Sequence, residues 1–81
     1  MSKIEKIIFK MKQRPNGIRF VEVQRVLEAY GYEMKKLGPT SHRQFINSYG
    51  DVITIKYENP LKAVYVKDVL KRISERRNAY E

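Results

Sequence analysis

The only histidine of this chain, His42, stands in "GPTSHRQF", residues 38–45, between Ser41 and Arg43. Imidazole is the side chain whose unperturbed pKa lies near neutrality, so it can accept a proton at ordinary pH. Lys35, Lys36, Arg43 and Lys56 fall on short segments that one small sheet would gather around it. A neutral base among cations is what metal-free cleavage of RNA requires. The base takes the proton of the attacking 2′-hydroxyl, and the cations stabilise the phosphorane. The same cations without the base would only hold a phosphate backbone. A lone histidine in a strand is commonly just solvated, so its meaning depends on the elements that position it.

Composition narrows the chemistry further. There are no cysteines, so no disulfide and no thiolate zinc site can form. One histidine does not make a histidine-based metal site. No metal and no cofactor are therefore expected. Seventeen Lys and Arg face nine Asp and Glu, a formal net charge of +8 on 81 residues. That field attracts polyanions, with nucleic acid as the first partner class and an acidic protein as the second. The segment "MSKIEKIIFKMK" is too charged for a signal peptide, and no apolar run approaches membrane length. A cytoplasmic protein is expected.

The length allows one domain, 1–81, with a small core. Ile4, Ile7, Ile8 and Met11 follow i, i+3, i+4, i+7 and predict an amphipathic helix over 2–13. "RPNG" ends it. Phe20, Val23, Val26, Leu27 and Tyr30 predict a second helix over 20–30, weakly capped at its start and closed by Gly31. Runs 32–37, 41–48 and 51–57 read as strands joined by turn residues, hence an antiparallel meander. Val66, Val69, Leu70 and Ile73 predict a third helix over 64–77, and 78–81 reads as a frayed tail. The order is α-α-β-β-β-α. Three strands cannot hide both faces of a sheet, so the helices are expected on one face with the other left open. This is an α+β, double-stranded-RNA-binding-like layout over 18–77 with an additional N-terminal helix.

Alternation along the strands then orients His42. Phe45, Ile53, Ile55, Tyr32 and Met34 are assigned to the core. His42, Gln44, Val52, Thr54, Lys56, Glu33 and Lys35 are assigned to the open face, where phosphate could approach. Arg43 has the opposite parity and would flank the site from the strand end. Tyr49, in the second turn, is the best-placed tyrosine for stacking on a base. Lys67, Lys71, Arg72, Arg76 and Arg77 of the last helix could track a phosphate backbone or simply be solvated.

"IRFVEVQRVLEAYGYEMKKLGPTSHRQF" followed by "DVITIKYENPLKAVYVKDVLKRI" resembles the HicA family of toxins of bacterial type II toxin–antitoxin systems. The resemblance runs from about residue 4 to residue 76. It rests on the Phe-led helix, the Gly-Tyr opening of the first strand, Ser-His with Phe three residues on, and the basic "VKDVLKRI" helix. It implies an mRNA interferase that cleaves mRNA and blocks translation until a HicB-type antitoxin neutralises it. The family's Gly-Ser-His motif carries onto Ser41-His42 and makes His42 the implied catalytic residue. Thr40 stands where that motif has glycine. Lys35, Lys36, Ser41, Arg43 and Lys56 are the expected RNA contacts. The chain would be a monomer alone or a heteromer with its antitoxin. Two other readings use the same surface: a non-catalytic RNA-binding module, and a domain whose basic face meets an acidic protein.

Overall fold

The structure, a computed structural model, describes residues 2–36 and 38–80, with side chains for all of these except Lys36 and residues 75–80. Helix α1 spans Lys3–Gln13, α2 spans Phe20–Ala29 and α3 spans Ala63–Tyr80. A single 3-10 turn, Pro15–Gly17, separates α1 from α2. Strands β1 (Glu33–Lys36), β2 (His42–Ile46) and β3 (Val52–Lys56) form one antiparallel sheet in the order β1-β2-β3. The expected α+β class, meander and element order are all present. Leu37, the expected end of the first strand, lies outside the described residues. Helix α3 runs to Tyr80, three residues past the end expected from its apolar stripe.

Local chemistry explains the helix ends. Ser2 caps α1, its Oγ accepting the Glu5 N–H at 3.1 Å. Helix α2 closes in a Schellman arrangement: Gly31 N–H donates to Glu28 O at 3.1 Å and Tyr32 N–H to Leu27 O at 3.0 Å. Gly31 sits at φ 91°, where a Cβ would be strained. The start of α2 is better capped than its sequence indicates. Glu22 accepts the Arg19 N–H at 3.0 Å, and Asn59 Oδ1 accepts the Phe20 N–H at 2.8 Å from 39 residues away.

One core joins the sheet to the helices. Phe45, Ile53 and Ile55 meet Phe20, Val23, Val26, Leu27, Val66, Val69 and Ile73 in a single buried cluster. Met11 enters the same cluster, and Ile4, Ile7 and Ile8 pack against it, so α1 lies over α2 and α3. Burying each of these large apolar side chains is worth about 1.5–3 kcal/mol, and they all sit on the helix side of the sheet. One core expectation fails in part. Met34 lies opposite Phe45 but stays 38% exposed, because β1 is an edge strand at the sheet margin.

Candidate functional site

The register fixes what faces the uncovered side of the sheet. His42 is the direct partner of Lys56, Gln44 of Thr54, and Ile46 of Val52. Tyr57 N–H donates to Ser41 O at 2.7 Å, and Asn47 N–H to Asp51 O at 3.2 Å. The hydrogen-bonded pairs are therefore those that include 43/55 and 45/53 on the core side. His42/Lys56 is a non-hydrogen-bonded pair, the kind with Cα atoms about 4.5 Å apart and side chains closest together. Lys35 lies opposite Gln44, which makes it a diagonal neighbour of His42 across β1 and β2. Diagonal neighbours are about 7–8 Å apart, within reach of a long side chain. Two lysines thus flank one imidazole on an open surface.

These side chains are exposed or half-buried. His42, Lys35 and Ser41 are exposed, and Lys56 is half-buried. Among the described residues, no hydrogen bond or ion pair engages the side chains of His42, Lys35 or Lys56. The side chain of Lys36 lies outside the described residues. Its backbone pairs with Arg43. No group of three or more His, Cys, Asp or Glu that could hold a metal occurs among the described residues.

Arg43 stands apart from the other expected phosphate contacts. It lies opposite Ile55, on the core side, and is half-buried. Its Nη1 donates to the carbonyls of Thr40 (3.1 Å) and His42 (3.2 Å), and its Cζ lies 5.3 Å from the centre of the Tyr57 ring. The flanking position expected from parity is present, but the guanidinium is turned to protein groups. Ser41 contributes its carbonyl to the β3 ladder. Thr40 needs no glycine conformation, since no described residue other than glycine has positive φ.

Two residues of this corner make contacts that the sequence reading did not assign to them. Thr40 Oγ1 accepts the His42 N–H at 3.3 Å, a turn contact that a hydroxyl two residues upstream could have signalled. Tyr57 packs on Phe20 with ring centres 4.6 Å apart, a contact between residues far apart in the chain that no local pattern announces. Tyr49 is 67% exposed but sits in the opposite turn, four residues or more of strand away from His42. Of the α3 cations, Arg72 is bound to Asp51 and Asp68, while the side chains of Arg76 and Arg77 lie outside the described residues. No described helix is long and apolar enough to cross a membrane.

Comparison with known proteins adds no relative: no protein-family model matches the chain, no curated protein matches it, and no solved structure does.

Proposed function

We propose that this chain is a histidine-dependent endoribonuclease, an mRNA interferase of the HicA type on a double-stranded-RNA-binding-like fold, acting in the cytoplasm. The observation that carries the reading is the pairing of His42 with Lys56, with Lys35 on the diagonal, on a sheet face covered by no helix. An RNA strand laid on that face would meet a base and two cations together. His42 as neutral imidazole takes the 2′-hydroxyl proton while the 2′-oxygen attacks the adjacent phosphorus. The bond from phosphorus to the 5′-oxygen breaks, leaving a 2′,3′-cyclic phosphate and a 5′-hydroxyl. Lys35 and Lys56 stabilise the charge on the phosphorane. With one histidine per chain, the proton for the departing oxygen comes from water or a lysine. One base with modest partners suits a slow nuclease.

A net charge of +8 and an open cationic face also favour restraint by an acidic partner, which we take to be a HicB-type antitoxin. Such a partner covers His42 and protects the amides of 41–46 from exchange. The reading is tested by incubating purified wild type and His42→Ala with a single-stranded mRNA fragment. The expected result is cleavage by the wild type alone, with RNA binding retained in the variant. Equal cleavage by both sinks the enzymatic reading. Binding without cleavage by either leaves the non-catalytic RNA-binding module.

A further inference from the structure

We propose that Arg43 is a positioning residue for His42 and not a phosphate contact. The proposal rests on the nuclease reading for its kinetic consequence, but its geometry stands without it. The three successive carbonyls that lead into the site are each fixed. Arg43 Nη1 holds Thr40 O at 3.1 Å and His42 O at 3.2 Å, and the Tyr57 N–H holds Ser41 O at 2.7 Å. The His42 N–H is held in turn by Thr40 Oγ1 at 3.3 Å. Behind them the guanidinium lies over the Tyr57 ring, its Cζ 5.3 Å from the ring centre, and that ring packs on the buried Phe20. A chain of contacts therefore runs from the core to the backbone of His42.

Position and chemistry both argue against a phosphate role. Register puts Arg43 on the helix side of the sheet, opposite Ile55, while His42, Lys35 and Lys56 face away from the helices. The two hydrogen bonds its guanidinium makes among the described residues, both from Nη1, go to main-chain oxygens. The longer, planar guanidinium can reach both carbonyls while lying over an aromatic ring, a geometry that a lysine ammonium does not reproduce. His42 begins its strand, next to residues of the connecting turn, so its backbone needs such a restraint. For a base, a misplacement of about 1 Å can cost on the order of 10²-fold in rate.

The test compares wild type, Arg43→Lys, Arg43→Ala, Thr40→Val and His42→Ala. Cleavage of a single-stranded mRNA fragment is followed in single turnover at saturating protein. Salt dependence of binding to the same RNA and amide exchange at His42, Tyr57, Ile53 and Ile55 are measured in parallel. Both Arg43 variants should cleave at least about tenfold more slowly, with lysine giving no rescue. Thr40→Val should show a smaller loss of the same kind. The salt slope of binding should match the wild type. Exchange at His42 and Tyr57 should quicken while Ile53 and Ile55 stay protected, which separates a loosened corner from an unfolded chain. A salt slope reduced by about 0.7 in Arg43→Ala and restored in Arg43→Lys would identify a phosphate contact and overturn the proposal. Wild-type rates in both Arg43 variants would overturn it as well. If His42→Ala cleaves like wild type, the nuclease reading falls by itself. The positioning proposal is then decided by exchange: unchanged protection at His42 and Tyr57 in Arg43→Ala sinks it.

Discussion

The two ends of the β2–β3 ladder treat charge in opposite ways. At the turn end, Asn47 Oδ1 accepts the N–H groups of Tyr49 and Asp51 at 3.0 and 2.8 Å and shapes the hairpin. Asp51 accepts the Tyr32 hydroxyl and pairs with Arg72 at 2.6 Å, and Arg72 also binds Asp68 and the Val52 carbonyl. Burial alone would lower the Arg72 pKa, but the carboxylates of Asp68 and Asp51 outweigh it and raise it, so the guanidinium stays charged. At the other end, His42, Lys35 and Lys56 gather with no carboxylate among their described partners. Charge is neutralised where it ties a helix to a turn. It is left available where a strand meets solvent. Stability needs the first arrangement, and recognition of a polyanion needs the second.

Separate substitutions at the two ends should separate function from stability. The largest effect belongs to His42→Ala, expected to lower RNA cleavage by about 10²–10⁴-fold, the usual worth of a positioned base. Its melting temperature should stay close to that of the wild type, as for exposed substitutions in general. A large fall in melting temperature would show that His42 supports the fold.

Arg72→Ala should give the reverse pattern. It removes charge-assisted hydrogen bonds to Asp51, Asp68 and Val52, and urea denaturation should show a loss of about 1–2 kcal/mol. The Arg72 side chain is 31% exposed, so screening keeps the loss toward the lower end. Cleavage at a temperature where the variant remains folded should match the wild type. A selective loss of cleavage would join the two ends into one functional unit.

Lys35→Gln combined with Lys56→Gln tests the open end more finely. Each contact to a single-stranded phosphate contributes about 0.7 to the salt slope of binding, so losing two should flatten it by about 1.4. An unchanged slope would place the RNA elsewhere, with α3 the next surface to probe.

The smallest effect concerns the link between α1 and α2. Burial pushes the Glu22 carboxyl up, but the Arg19 N–H and the Lys10 ammonium, 2.9 Å away, hold it below its ordinary value of 4.5. A carboxyl lowered in the folded state stabilises above its unfolded pKa, and this contribution fades as pH falls through the folded value. Wild type and Glu22→Gln should therefore differ slightly in melting temperature at neutral pH and converge in acid. A difference that persists at low pH would assign the effect to packing or capping.

The amount legible in the sequence differs between the fold and the site. Apolar spacing at Ile4, Ile7, Ile8 and Met11, and at Phe20, Val23, Val26 and Leu27, reflects the helical period itself, so both helices were readable within a residue or two. Alternation at Phe45, Ile53 and Ile55 oriented the sheet, because only one face could be buried. Met34 was misjudged since alternation gives the side of the sheet and not the distance from its edge. The capping of Phe20 by Asn59, and the Asp51–Arg72 pair, join segments 39 and 21 residues apart and leave no local pattern.

By itself the sequence determined the inventory: one imidazole, no thiol, an excess of cations, and periods that make three helices and three strands in a set order. It also determined that His42 and Phe45 point to opposite sides of their strand, because side-chain direction is a local property of extended backbone. Only the tertiary structure decided which cations stand beside His42. Cross-strand register set Lys56 opposite it and Lys35 on the diagonal. The physical reason is that charge has no preferred period. A lysine on one strand and a histidine on another become neighbours only when the packing of Phe45, Ile53 and Ile55 fixes how the strands align.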